Sequence, residues 1–468
     1  MRAGCVKIFE LKSDSITFAS NSRGLDEMPG HPKGELAMKR FLIAAMLLPF
    51  TAGVVALAQT PQATEMPGSV FSIRHTWTIG GDGNWDYLTL DPSALRLYIA
   101  HGTTVQVVDV KEGTVAGQVS GLRDAHEIAL DNQGQFGYVS DGPSDAVMVF
   151  DRATFEVAAK IPTGKNPRSL VFDPATHLLF VVCPSATVTG SRNPRRNAAG
   201  QPIPQTDPSA SSIVSVIDAD SHKRLADLIF PGHLGFAQAD GKGTIFINVT
   251  DRNQIAHFSA TGIESRLRSL AAENANATVT PDSPPNPSEP PVTRTRTAGE
   301  ATFTIDWSDA AKGTPLIPRT LHTFNLGSAC QSPRSLSIDS ANERLFVACD
   351  NMKMQVLNAS SGEVVASLPI GAGTDAVGYD ANHGLIYASN GGGVGSLTII
   401  RQHLTDSYAV IQELPTQARA RTLAVNPESG EVYLVTNITG FDLNHKGGVG
   451  DLKPAAMQGS FQVLVVGN

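Results

Sequence analysis

Six ionisable side chains occupy the same position in a segment that recurs along this sequence. Each lies five residues before an aspartate or asparagine, and the six are Asp86, His126, Arg168, Arg334, Asp375 and Arg421. Three are arginines, whose planar guanidinium group matches a carboxylate or phosphate in two-point contact. If the fold gathers these positions, they predict a binding site for a small anionic or polar ligand, with His126 as a further hydrogen-bond donor.

Two other interpretations of the same residues stay open at this point. In the first, Arg168 forms an ordinary ion pair with Asp86 at a wet surface, and Arg421 pairs in the same way with Asp375. In the second, imidazole and carboxylate groups hold a divalent metal, and the four candidate ligands are His126, His101, Asp86 and Asp375. No compact motif such as HExxH supports a metal, and nearby guanidinium groups repel a cation. We therefore predict neither a metal nor another cofactor.

A repeated pair of strands defines the shared position. Seven segments align on the turn residue, and they start at Trp85, Ala125, Pro167, Leu234, Pro333, Thr374 and Ala420. Each segment is an apolar run, a turn of Asp, Asn, Pro or Gly character, and a second run, which is typical of a β-hairpin. Most repeats continue with an alternating strand, such as VQVVD to Asp109, and a fourth segment, such as EVAAKIPTG from Glu156.

Four strands repeated seven times predict an all-β, seven-bladed β-propeller of four-stranded antiparallel blades. A solenoid gives a similar period, but it needs capped ends and has no means of closure. Here the seventh repeat stops after FQVLVV (Phe461 to Val466), one strand short of a blade. We expect the missing strand from the other end of the chain, in Phe71 to Gly80, so that both termini share one blade. The predicted propeller spans residues 71–468.

Three stretches depart from the repeat and are interpreted as insertions, at about residues 184–211, 261–318 and 437–459. The longest follows the third strand of blade four. Its centre, from Val279, is rich in Pro and Ser, a composition that indicates disorder.

The chain resembles the YVTN-repeat, YncE-like family of exported seven-bladed propellers. The elements that carry the resemblance are GGDGNWDY from Gly80, DGKG from Asp240, LPIG from Leu368, ASNG from Ala388 and the terminal LVVG. The resemblance covers the chain from about Phe71. It implies the fold and export, and it implies little chemistry.

In a propeller, the loops that precede the inner strands surround the mouth of the central channel, so the six ionisable residues are expected there. We favour a non-enzymatic binding or scaffold protein whose polar mouth takes a small anionic ligand or a protein partner. The alternative is a lactonase-type hydrolase, metal-dependent or not, that uses the same mouth. No GxSxG elbow is present, and an analogy of fold is weak support for a reaction. We expect a monomer.

Charge and the N-terminal segment constrain the location and the partners. A net charge of −8 gives no reason to expect nucleic acid. Residues 38–58 have a basic start, an apolar run from Phe41 and small residues at Ala56 and Ala58, which together predict a secretory signal peptide. Residues 1–37 are interpreted as preceding the true start, and 59–70 as a short linker. We expect a periplasmic or secreted protein without a membrane span in its mature form.

Cysteine spacing predicts one disulfide. Cys5 would be lost with the leader, which leaves Cys183, Cys330 and Cys349 in an oxidising compartment. Cys330 precedes the inner strand of blade five and Cys349 ends the adjacent strand. We therefore expect these two to form a bond, with two buried free thiols as the alternative.

Overall fold

The computed structural model describes residues 70–184, 187–188, 205–206, 211–276, 294–298, 301–305, 322–441 and 454–468. The predicted upstream segment at 1–37, the signal peptide at 38–58 and all but the last residue of the linker lie outside these ranges. The same holds for most of the Pro- and Ser-rich centre of the longest insertion.

Short antiparallel strands account for most of the described chain. Strand β1 (Ser72–Thr78) comes first. Blade one holds β2 (Trp85–Asp91), β3 (Arg96–His101), β4 (Thr104–Asp109) and β5 (Thr114–Val119). Blade two holds β6 (Ala125–Leu130), β7 (Phe136–Asp141), β8 (Ala146–Asp151) and β9 (Val157–Pro162). Blade three holds β10 (Ser169–Asp173), β11 (Leu178–Cys183), β14 (Ser211–Asp218) and β15 (Lys223–Pro231).

The remaining blades follow the same order. Blade four holds β16 (Leu234–Ala239), β17 (Thr244–Val249), β18 (Gln254–Ser259) and β21 (His322–Asn325). Blade five holds β22 (Pro333–Asp339), β23 (Arg344–Cys349), β24 (Lys353–Asn358) and β25 (Val364–Pro369). Blade six holds β26 (Thr374–Asp380), β27 (Leu385–Asn390), β28 (Ser396–Leu404) and β29 (Ser407–Pro415). Blade seven holds β30 (Leu423–Val425), β31 (Val432–Phe441), β32 (Pro454–Gly467) and β1.

Blade seven is built from both ends of the propeller. Strand β1 pairs antiparallel with β32, with Ser72 opposite Gly467 and Thr78 opposite Gln462. The predicted fold class, a seven-bladed propeller of four-stranded antiparallel blades with a blade shared between the termini, is confirmed. Because every edge of a sheet is a site for unwanted pairing, this arrangement also protects the ring where it closes.

A buried aromatic ring at one position of each second strand fills the space between neighbouring blades. The seven rings belong to Tyr98, Tyr138, Phe180, Phe246, Phe346, Tyr387 and Tyr433. The ring of Tyr98 in blade one, for example, lies 5.7 Å from that of Phe150 in blade two. Aromatic rings bury a large apolar area for each residue, so one repeated position can hold adjacent sheets together around the propeller.

The insertions contain structure of their own. In blade three, β12 (Thr187–Val188) pairs with β13 (Gln205–Thr206). In blade four, β18 leads into helix α1 (Ala260–Asn276), and β19 (Arg294–Ala298) pairs with β20 (Ala301–Ile305). Turns of 3-10 helix span Gly142–Ser144 and Gly327–Ala329. Among the described residues, no helix has the length and apolar character needed to span a membrane.

Candidate ligand site at the channel mouth

A β-bulge on most of the inner strands sets the direction of the candidate side chains. An extra residue interrupts the pairing at the start of the inner strand in blades one, two, four, five and six. In a regular strand, consecutive side chains point to opposite faces, but a bulge re-aims them. As a result, Asp86 and Tyr87 line the same cavity, and so do His126 and Glu127. In blades three and seven, Arg168 and Arg421 lie just ahead of the inner strand.

The structure brings all six sequence-predicted residues to one cavity of about 720 Å³. The six are Asp86, His126, Arg168, Arg334, Asp375 and Arg421. Gly235 occupies the seventh equivalent position and also lines the cavity. Their gathering follows from topology, because the shared position places one residue of each blade at the channel axis.

Arg421 is held between two carboxylates. Its Nε atom lies 3.3 Å from Oδ2 of Asp375, and its Nη2 atom lies 4.0 Å from Oδ1 of Asp86. Nη2 also donates a hydrogen bond to the carbonyl oxygen of Trp85, at 3.2 Å. The ion pair with Asp375 that the sequence left open is therefore present, and it offsets much of the charge that Arg421 brings to the mouth.

Arg334 forms an ion pair with Asp350, which does not lie at the repeat position of the six candidate residues. Its Nε atom lies 3.0 Å from each carboxylate oxygen of Asp350, and its Nη2 atom lies 2.9 Å from Oδ2. Asp350 is buried, so this is a desolvated two-point pair of the kind that guanidinium geometry favours. Asp350 follows the last residue of β23, and no rule of the repeat singles it out.

Arg168 differs from the other two arginines because its side chain is exposed and forms no ion pair with a carboxylate in the part of the chain that the structure describes. Its Nη1 atom lies 3.2 Å from Nδ1 of His126, and the same Nδ1 atom lies 2.9 Å from Oδ2 of Asp86. One ring nitrogen cannot both donate to Asp86 and accept from Arg168. When Nδ1 carries its proton, it cannot accept a hydrogen bond from Arg168, and the Arg168 donors are available to a ligand.

Two acids in the mouth have raised pKa values. Burial raises the pKa of Glu127 to about 8, and the charge of Asp86 acts in the same direction. Burial also raises the pKa of Asp375, against the opposing effect of the Arg421 guanidinium. Acids whose charge is disfavoured by their surroundings are common in functional sites.

Aromatic rings and Glu127 form the floor of the mouth, and the sequence did not identify them. The rings of Tyr87 and Phe236 stack at 5.0 Å, and the Tyr87 hydroxyl donates to the carbonyl oxygen of Asp375. Burial is the largest cause of a Tyr87 pKa well above its usual value, so this side chain stays neutral. Tyr87, Glu127 and Phe236 each lie one residue after a candidate position, and the bulge that turns them inward has no signal in the sequence.

His101, the remaining member of the metal hypothesis, lies apart from the mouth. Its Nδ1 atom is 2.7 Å from Oε1 of Gln106, and its ring packs 4.0 Å from that of Phe461. Within the described ranges, no three His, Cys, Asp or Glu side chains are arranged to hold one metal ion.

A disulfide joins Cys330 to Cys349, with Cα atoms 5.2 Å apart. It links the loop before β22 to the end of β23 in blade five. Arg334 lies four residues after the first cysteine and Asp350 directly after the second. Cys183 is a buried free thiol whose pKa burial raises to about 12.

Comparisons with known proteins agree on the fold. A family model described as "Lactonase, 7-bladed beta-propeller" matches residues 86–192, less than half of the chain. No curated protein matches the chain. The WD40 repeats of RRP9 are 8% identical, with a TM-score of 0.53 over 84% of this chain and 97% of that one. U3-55K is 9% identical, with a TM-score of 0.52 over 83% and 97%. A chain of the mitotic checkpoint complex is 12% identical, with a TM-score of 0.50 over 82% and 95%.

Proposed function

We propose that this protein is a YncE-like binding protein that takes a small anionic ligand at the mouth of its propeller channel. The observation that carries the proposal is the exposed guanidinium of Arg168, without a carboxylate partner among the described residues, on the wall of a cavity of about 720 Å³. Pockets for small molecules commonly measure roughly 300–1,000 Å³. The cavity therefore suits a ligand of metabolite size.

The three arginines have different parts in this proposal. Arg168 binds the anionic group directly, because an arginine without a bound carboxylate has its donors available. Arg334 is paired with Asp350, and Arg421 is paired with Asp375. Because these carboxylates offset most of their charge, the two arginines act mainly by directing hydrogen-bond donors at the ligand. Asp86 and Asp375 repel an anion, which limits the affinity.

Export of the protein is part of the proposal. A disulfide between Cys330 and Cys349 supports a periplasmic or secreted location, because such bonds persist in oxidising compartments and are rare in the cytosol. The resemblance to exported YncE-like propellers points in the same direction. We further propose that the mature protein is a monomer.

Calorimetry with the mature protein tests ligand binding. The panel is succinate, malate, citrate, benzoate and inorganic phosphate, measured with the parent, Arg168→Ala and Arg268→Ala. Arg268 lies on α1 with its side chain 79% exposed, so its variant loses the same charge far from the mouth. Hydrogen bonds to charged groups contribute about 1.5–3 kcal/mol, so Arg168→Ala should weaken binding roughly tenfold to a hundredfold. A ligand that binds all three proteins equally lies elsewhere, and a panel without any binder contradicts the proposal.

Lactone hydrolysis is the second candidate, and the family-model match over residues 86–192 favours it. That segment contains Asp86, His126 and Arg168 together with Glu127. A carboxyl group with a pKa near 8 is protonated at neutral pH and suits the role of a general acid. Titration of acid released from γ-butyrolactone and δ-valerolactone separates the candidates. Turnover by the parent that is lost in Glu127→Gln supports the hydrolase, and binding without turnover supports the binding protein.

A further inference from the structure

Glu127 lies where two parts of the channel meet. Its side chain lines the mouth and also a second chamber of about 270 Å³ beneath it, and Tyr87 and Phe236 do the same. The stacked rings of these two aromatic residues and the Glu127 carboxyl group thus form a partition across the channel. Any ligand that fills the mouth rests against this partition.

The carboxyl group of Glu127 is buried without a cation to balance a charge. The residue is 7% exposed, and in the described parts of the chain no Lys, Arg or His side chain forms an ion pair with it. Its Oε2 atom accepts a hydrogen bond from the backbone N–H of Leu170, at 3.1 Å. The Ser169 hydroxyl also interacts with this carboxyl group, but two neutral donors replace only part of the hydration that an ionised carboxylate loses on burial.

We propose that Glu127 binds the ligand as a neutral carboxylic acid, donating a hydrogen bond from the floor of the mouth to an acceptor oxygen of the ligand. This inference rests on the proposed function and names a specificity-determining residue of that site. The ligand it selects carries an anionic group for Arg168 and a second, uncharged or partly charged oxygen that faces the partition. A monoanion without a second oxygen would leave the Glu127 hydroxyl without its acceptor.

The surroundings of Glu127 favour the protonated form at neutral pH. Burial raises the pKa of this carboxyl group to about 8 and Asp86 adds to the effect, while the Ser169 hydroxyl and the Leu170 amide oppose it. The strands packed against β6 are β2, β3, β7 and β10, and their titratable or charged side chains are Asp86, Tyr87, Asp91, Arg96, Tyr98, His101, Tyr138, Asp141 and Asp173. Elsewhere on the mouth, the titratable or charged groups are His126, Lys165, Arg168, His233, Asp251, Arg334, Asp375 and Arg421. Ionisation of Glu127 would remove a donor and add a negative charge beside a bound anion. Both changes weaken binding.

The test is the pH dependence of the dissociation constant for malate and for succinate, two dicarboxylates that differ by one hydroxyl oxygen. Neither titrates above pH 7, since both carboxyl groups of each acid have pKa values below about 6. For the parent, we expect affinity to fall about tenfold between pH 7 and pH 9.5 as Glu127 ionises. In Glu127→Gln, the amide donates at every pH, so the affinity at pH 9.5 should stay near its value at pH 7. Glu156→Gln, which changes an exposed acid on the outer edge of blade two, should behave as the parent.

The outcomes separate this inference from the proposed function. If neither the dicarboxylates nor the rest of the panel bind the parent, the proposed function fails. If a dicarboxylate binds through Arg168 but its affinity does not change from pH 7 to pH 9.5, the role of Glu127 is wrong and the site stands. A pH dependence that persists unchanged in Glu127→Gln assigns it to another group and also overturns the inference. If Glu127→Gln does not fold, the parent profile and Glu127→Asp decide, because the shorter acid should lose affinity at pH 7.

Discussion

The two faces of the propeller use acidic residues in opposite ways. On one face, the turn after each inner strand holds an Asp or Asn in every blade: Asp91, Asp131, Asp173, Asp240, Asp339, Asp380 and Asn426. These side chains accept hydrogen bonds from their own turns, as Asp131 does from the amides of Gly134 and Phe136. On the mouth face, the position five residues earlier differs from blade to blade. Its side chains contact another blade in His126–Asp86, Arg168–His126 and Arg421–Asp375, whereas Arg334 pairs with Asp350 of its own blade. The uniform position builds the fold, and the variable one is available for function.

The pKa of Asp91 on the turn face contrasts with the pKa values of two acids in the mouth. Burial acts to raise the pKa of Asp91, but hydrogen bonds from Ser93, Arg152 and Ala94 outweigh it and leave the value below the ordinary one. The raised pKa values of Glu127 and Asp375 in the mouth show the reverse balance. An acid that is stabilised as an anion serves structure at neutral pH. An acid whose charge is disfavoured by its surroundings is a common feature of binding and catalytic sites.

The largest expected contrast is between Asp91→Ala and Asp86→Ala. Asp91 forms a buried ion pair with Arg152, and removing one partner of such a pair leaves an uncompensated charge. We expect Asp91→Ala to lower the free energy of unfolding by about 3 kcal/mol. Asp86 is 21% exposed, and its loss should cost less than about 1 kcal/mol. Urea denaturation of both variants measures the difference, and equal losses would remove the distinction between the two faces.

In blade five, we expect the disulfide at the mouth face to stabilise the fold. The Cys330–Cys349 bond closes a loop with a sequence separation of 19 residues and holds together the segments that carry Arg334 and Asp350. Replacing both cysteines by serine should lower the free energy of unfolding by about 3 kcal/mol. Dithiothreitol should reproduce the loss in the parent and have no effect on the double variant. Two separately alkylated cysteines in unreduced peptide maps of the parent would contradict the bond.

A smaller effect should come from charge removal at the mouth. Asp86→Asn keeps a hydrogen-bonding side chain beside His126 and removes a charge that repels an anion. Partly exposed charge pairs contribute about 0.2–1 kcal/mol, so the affinity for succinate should rise roughly 1.5-fold to fivefold. Asp131→Asn on the opposite face should leave the affinity unchanged. A weaker affinity in Asp86→Asn, measured by calorimetry, would mean that Asp86 contacts the ligand.

The fold could be predicted because the repeat is regular and because the sequence contains the strand that closes the ring of blades. The hairpin signature occurs seven times, and the expected pairing of the segment at Phe71 with the strand that contains Phe461 is present in the structure. The gathering of Arg168, Arg334 and Arg421 at one cavity also follows from the repeat, since equivalent positions in a propeller surround the same axis.

The details of the site could not be predicted for two physical reasons. β-Bulges turn three side chains into the mouth, those of Tyr87, Glu127 and Phe236. A bulge depends on backbone pairing, and the residue types give no sign of where it occurs. The commitment of Arg334 to Asp350 depends on a residue outside the repeat position. In the sequence, the three arginines occupy equivalent repeat positions, at Arg168, Arg334 and Arg421. In the structure, their side chains differ in exposure and in their partners.

A crystal structure with the tightest carboxylate of the panel tests the central claim most directly. We expect a carboxylate in the mouth whose oxygens lie at hydrogen-bonding distance, roughly 2.7–3.2 Å, from the Arg168 guanidinium. We also expect Arg334 to keep its contact with Asp350 in the complex. A carboxylate bound on the outer edges of the blades, with the mouth holding only water, would contradict the assignment.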